Sequence, residues 1–160
     1  MPKDIFVELA FGDPNLVIRR LSEVDVNVTN SDGSNLLQTA LAFKQNAIAQ
    51  ILIEQGIDVN HADEDGTTAL HGAARYHAHN VATLILEAGG DLSLTNSHGN
   101  TPLWVAVHER DQAMVQLFIT HGADPNHKNR HGRSPLDLAR QMNVQALVDL
   151  LIGGDKSEVS

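Results

Sequence analysis

The chain has 160 residues, 42% apolar, 19% charged and only 4% aromatic, enough to close one hydrophobic core and too few for two ordinary domains. Twenty acidic against 11 basic side chains give a net charge of −9, which repels nucleic-acid phosphates and anionic lipid and favours a basic protein partner. Cysteine is absent, so disulfides, thiolate zinc sites and cysteine nucleophiles are excluded together, and neither an export leader nor an apolar run of bilayer length is read in the sequence, which is taken as cytoplasmic.

In chain order, residues 2–27 read as a divergent opening unit: Ile5, Phe6 and Leu9 suit one helix, Gly12-Asp13 a turn, and Leu16, Val17 and Leu21 a second helix. From there a period takes over, because Gly33, Gly66, Gly99 and Gly132 are spaced by 33 residues each time. Two residues after each glycine stands a residue able to cap a helix N-terminus: Asn35, Thr68, Thr101 and Ser134. Leu36, Ala69, Pro102 and Pro135 follow, with proline suited to a first turn where its missing N–H would have no partner. Next come a leucine column, Leu37, Leu70, Leu103 and Leu136, and an alanine column, Ala40, Ala73, Ala106 and Ala139. Their spacing of three places both on one helical face, and the small alanines predict close approach of neighbouring units.

Each unit continues into a second predicted helix, with core residues Ile48, Leu52 and Ile53; Val81, Leu84 and Ile85; Met114, Leu117 and Phe118; and Leu147, Leu150 and Leu151. Gly56, Gly89 and Gly122 form a stop column suited to the left-handed conformation. Asp58-Val59-Asn60, Asp91-Leu92-Ser93 and Asp124-Pro125-Asn126 follow, with Asp25-Val26-Asn27 in the same column one period earlier. The polar stretch leading to the next repeat glycine reads as a projecting β-turn or hairpin.

This pattern resembles the ankyrin repeat, most closely at Gly66-Thr67-Thr68-Ala69-Leu70-His71-Gly72-Ala73-Ala74 and Gly99-Asn100-Thr101-Pro102-Leu103-Trp104-Val105-Ala106. The resemblance implies an all-α solenoid of five stacked helix pairs with projecting tips, in one domain over 1–152. Its units are 2–32 as N-terminal cap, 33–65, 66–98, 99–131 and 132–152 as C-terminal cap, and residues 153–160 form a polar tail. It also implies that His71 ties turn to helix as a framework residue. Trp104, Gln38 and Asp137 occupy the same column and loosen the signature there.

The resemblance further implies that a partner meets the turn tips and the exposed side of each first helix. Carried over by position, the tips are Asp32 and Ser34, Asp65 and Thr67, His98 and Asn100, and His131 and Arg133. The helix positions are Ala42 and Phe43, Arg75 and Tyr76, His108 and Glu109, and Gln141 and Met142. From these, with Trp104 added, Asp32, Phe43, Asp65, Arg75, Tyr76, His98, Trp104, His108, Glu109, Arg133 and Met142 are taken as partner-binding. Phe43 and Tyr76 share a column about 8–10 Å apart at ordinary helix spacing and suggest one apolar anchor beside Arg75. Trp104 is expected either to pack over its turn or to add an aromatic contact, with packing preferred.

Residues 1–70 carry four basic and 11 acidic side chains, net −7, against net −2 for residues 71–160, a gradient able to orient a basic partner toward the N-terminal tips. The nine histidines do not assemble a recognisable metal set: His77 and His79 lack carboxylate company, and His127, His131 and His98 sit on turns. No phosphate-binding glycine loop, zinc-binding His-Glu-x-x-His or nucleophile elbow occurs, and His108-Glu109-Arg110-Asp111 lacks a second histidine. The expectation is a non-catalytic, cofactor-free interaction module, monomeric when free. The alternative is a stoichiometric inhibitor or antitoxin masking a basic toxin, and a histidine- or metal-dependent enzyme is the remote third reading.

Overall fold

The computed structural model describes residues 4–155. They form ten helices in five pairs: α1 Ile5–Phe11 with α2 Pro14–Arg20, α3 Leu36–Ala42 with α4 Asn46–Glu54, α5 Ala69–Arg75 with α6 His79–Glu87, α7 Pro102–His108 with α8 Gln112–Thr120, and α9 Pro135–Gln141 with α10 Gln145–Asp155. The first helices of the pairs pack in the order α1, α3, α5, α7, α9, and the second helices form a parallel layer in the order α2, α4, α6, α8, α10. This is the stacked all-α array that the resemblance to the ankyrin repeat implies.

The repeated columns explain the stack. Ala40, Ala73, Ala106 and Ala139 are all 0% exposed, so no larger side chain fits where the units meet. Asn35, Thr68, Thr101 and Ser134 are buried N-cap residues, and Asn35, Thr101 and Ser134 accept the backbone N–H three residues on. The opening unit uses Asp4 and Asp13 as caps in the same way. Its buried Glu8 forms an ion pair with Arg20, joining α1 to α2. Leu16, read as one of the apolar residues of the second helix, is exposed, while Val17 in α2 and Leu21 just after it are buried.

The second helices bury Ile48, Ala49 and Leu52; Val81, Ala82 and Ile85; Met114, Val115 and Phe118; and Leu147, Val148 and Leu151. Ile53, Leu84, Leu117 and Leu150 are only half-buried, so the inward stripe is rotated toward smaller residues at i and i+1. In the last four pairs the connecting turn passes through a left-handed residue, Lys44, His77, Arg110 and Asn143, at φ of 57°, 57°, 57° and 56°. That column had no glycine to announce it. α10 continues through Gly153 and Gly154 to Asp155, past the expected start of the tail at 153. Each glycine weakens a helix by about 1 kcal/mol without forbidding it. The rest of that tail, 156–160, lies outside the described residues.

The projecting segments are turns; among the described residues the only strand-like pairing is an isolated bridge between Thr29 and Asn35. Each tip is organised by an Asn or Asp three residues before the repeat glycine: Asn30, Asp63, Asn96 and Asn129. Asp63 Oδ1, for example, accepts the N–H groups of Asp65 and Thr67, both at 2.9 Å, closing the turn on itself. Gly99 sits there at φ +73°, where an added Cβ would lie 2.9 Å from Arg130 N of the next tip, so both conformation and space demand glycine.

Candidate binding face

Successive tips are hydrogen-bonded to one another. Asp32 O accepts from Glu64 N–H at 3.2 Å, Asp65 O from Ser97 N–H at 2.7 Å, and His98 O from Arg130 N–H at 3.0 Å. The three expected tip residues Asp32, Asp65 and His98 thus spend their carbonyls on the ladder, and their side chains are exposed. Asn100 differs from expectation: it is buried and its Oδ1 accepts from Asn129 Nδ2 at 2.8 Å, which makes it part of the tip framework.

At the opposite end of each unit the Asp-x-Asn column has a matching job. Asp58 caps its own turn through Asn60 N–H at 3.0 Å, while Asn60 reaches the next unit, accepting from Asp91 N–H at 2.8 Å and donating to Gly89 O at 3.0 Å. Asn27 accepts from Asp58 N–H in the same manner.

Grooves run between the tips and the first-helix layer. One is lined by Asp63, Asp65 and Thr67 from a tip, by His71 and Arg75 from α5 and by Tyr76 just after it, so Asp65, Arg75 and Tyr76 are brought together. Arg75 is exposed, whereas Tyr76 is half-buried and packs on the core. The Phe43 ring is edge-on to Phe11, centroids 5.3 Å apart, in a neighbouring groove, whereas Tyr76 lines the groove with Asp65 and Arg75. Phe11 is the last residue of α1 and was missed because the opening unit carries no signature with which to align it. A third groove brings Trp104 and Arg133 together with Asn129 and His131.

Trp104 is half-buried and stacks on His108, with centroids 5.4 Å apart and planes at 14°. His108 is exposed and lies within hydrogen-bond distance of the neighbouring Glu109 carboxylate at 3.3 Å. Arg133 donates to Gln141 Oε1 at 2.9 Å, and Met142 is half-buried against the core. Among the described residues Trp104 Nε1 is the one fully buried side-chain polar atom with no partner, and the indole, which has no acceptor, also cannot make the contact with the N-cap N–H that its column makes elsewhere.

Those contacts are clearest at His71, 2% exposed, whose Nδ1 accepts from Thr68 N–H at 3.1 Å and whose Nε2 donates to Asn100 O of the next unit at 2.9 Å. Burial pushes its pKa down, against the raising influence of the Asn100 contact, so the ring is neutral and acts as framework. Gln38, read from sequence as a departure, reproduces both bonds: Oε1 accepts from Asn35 N–H at 2.8 Å and Nε2 donates to Thr67 O at 2.7 Å. Asp137 keeps only the local half, accepting from Ser134 N–H at 3.0 Å, and the bonds from Ser134 hold its carboxyl below the usual range.

The missing carboxylate beside His77 and His79 is supplied by Asp111 of the next unit. Asp111 Oδ2 lies 2.6 Å from His77 Nδ1 and 2.8 Å from His79 Nε2, while Oδ1 accepts from Met114 N–H at 3.0 Å to cap α8. Burial works against ionisation of Asp111, but the bonds from His79, His77 and the Met114 amide outweigh it and hold its pKa below the ordinary value. The cluster is a hydrogen-bonded joint between two units; no group of three or more His, Cys, Asp or Glu among the described residues is placed to hold a metal ion. Nor is any helix among them long and apolar enough to cross a membrane.

No curated protein matches the chain. Residues 6–96 and 84–159 match the family described as ankyrin repeats (3 copies), a family whose members are generally protein–protein interaction modules. With its period, its stacked helix pairs and its tip ladder in agreement, the chain belongs to the ankyrin-repeat family.

Proposed function

We propose that this protein is a non-catalytic module that grips a basic partner protein along the grooves between the turn tips and the first-helix layer. The observation that carries the reading is the groove in which Asp63 and Asp65 face Arg75 and Tyr76 across a rigid, hydrogen-bonded framework. Such a surface combines carboxylates with an aromatic and a guanidinium group, the latter two being side-chain types enriched at interface hot spots. The acidic N-terminal half adds long-range attraction for Lys and Arg, which speeds encounter and is screened beyond about 8–10 Å at physiological salt.

The test is a pull-down from native extract with the wild-type chain and with Tyr76→Ala, followed by mass spectrometry and titration of the recovered partner. The expected result is a basic protein whose affinity falls by at least about tenfold in the variant, with slower association in raised salt. Recovery of one basic protein in a one-to-one complex would favour a stoichiometric inhibitor, and diverse partners an adaptor. Equal loss of partner affinity and of thermal stability would refute a binding role for Tyr76.

A further inference from the structure

The exposed large hydrophobic residues among the described ones are Val7, Phe11, Leu16, Val28 and Phe43, all within the first 43 positions. Four of them, all but Leu16, line one open groove between α1, the first tip and the end of α3. Phe11 is 80% exposed and Phe43 43%, and the two rings meet edge to face. Grouped apolar exposure of this kind marks an interaction site, whereas scattered single residues would not. Framework packing does not account for it, because Leu9, Val17 and Leu21 already fill the core of that unit.

Charge selects the occupant. Asp4 lines the groove, Asp32 follows Ser31 of its wall, and the adjoining groove presents Asp63 and Asp65 with Arg75 as its one cation. A second copy of this chain would bring its own excess of carboxylates to the same place. A segment with lysine or arginine beside its apolar residues meets complementary charge instead.

We infer that the Phe11–Phe43 groove is the anchor point for an amphipathic segment of a basic protein, seating one large apolar side chain against the edge-to-face pair of rings and setting flanking Lys or Arg toward Asp63 and Asp65. This deepens the proposed function and rests on it. The aromatic pair supplies affinity through burial of rings already held in place, and the carboxylates supply orientation.

The test pans a phage-displayed random dodecapeptide library on the full chain and measures the best peptide by fluorescence anisotropy. The wild type is compared with Phe11→Ser, Tyr76→Ala and the double variant Asp63→Asn/Asp65→Asn. Asn occupies the Asp63 column in the other tips, so the double variant keeps its turn. Expected are peptides combining Trp, Phe or Leu with Lys or Arg, an affinity loss of at least about tenfold in Phe11→Ser at unchanged melting temperature, and a several-fold loss in the double variant. Peptides insensitive to Phe11→Ser but lost in Tyr76→Ala would overturn the anchor and leave the proposed function standing. Insensitivity to all three variants would overturn both. Failure to enrich any peptide, an acidic consensus, or concentration-dependent dimerisation abolished by Phe11→Ser would each overturn the anchor's assigned occupant.

Discussion

Replacing His71 by Gln should leave the fold intact at neutral pH and remove a specific acid sensitivity. Gln38 shows why the first half holds: one unit earlier, a glutamine makes the same pair of bonds, to its own cap amide at 2.8 Å and to the next unit's carbonyl at 2.7 Å. The second half follows from the burial that lowers the His71 pKa below its ordinary 6.5. The unfolded chain then takes up the proton more readily than the folded one. Stability from this residue is therefore complete above the unfolded value and is lost as pH falls through it toward the lower folded value. While folded His71 stays neutral, each pH unit in that window costs up to about 1.4 kcal/mol. Urea titrations of wild type and His71→Gln between pH about 7.5 and 5.5 isolate the term, because the other eight histidines are common to both chains. The wild type should lose more stability on acidification than the variant, by as much as about 1.4 kcal/mol near pH 5.5. Superimposable pH profiles would refute the assignment of His71 as a buried neutral bridge, as would a variant several kcal/mol less stable at pH 7.5. By contrast, His71→Ala leaves the Thr68 amide without its acceptor and should cost about 1–3 kcal/mol at neutral pH, a cost that shrinks on acidification as the wild type loses its own His71 contribution.

Other consequences follow from the unit joints. Ala106→Leu inserts volume where the exposure is 0% and should destabilise by roughly 1–3 kcal/mol in chemical denaturation; an unchanged midpoint would contradict close stacking. Asp111→Ala removes the α8 cap and the acceptor shared by His77 and His79, and should cost at least about 1 kcal/mol. Because the folded Asp111 pKa is lowered, its contribution is complete above the ordinary carboxylate value, so the stability gap between wild type and Asp111→Ala should stay open down to that value and close only as pH falls on through the lowered folded one. Arg110→Gly relieves a left-handed non-glycine residue at φ 57° and should raise stability by about 0.5–1 kcal/mol after the entropic cost of glycine, measured by urea titration.

The framework was legible because it repeats. Helix starts, the leucine and alanine columns and the stop glycines each recur at one spacing, so a weak local signal at Asn35 is reinforced at Thr68, Thr101 and Ser134. The tip column Asn30, Asp63, Asn96 and Asn129 recurs just as faithfully; what obscured it was that both Asn and Asp serve equally as turn acceptors. Contacts that join different columns were hidden. Asp111 meets His77 and His79 across 34 and 32 residues, either side of the period, so aligning the units never places the three together. Gln38 looked like a departure because its name differs from histidine, although its amide offers the same acceptor and donor. Phe11 escaped notice because the opening unit has no repeat glycine to set its register, and its ring gains meaning only once Phe43 is seen against it.

The central claim, that the tip and first-helix side grips another protein, is tested most directly by site-specific photo-crosslinking in native extract. Benzoylphenylalanine is placed in turn at Phe43 and Tyr76 on that side, and at exposed Gln50 and Gln116 on α4 and α8. The account predicts one basic protein crosslinked from positions 43 and 76 and none from 50 and 116. Crosslinks confined to the second-helix layer would contradict it.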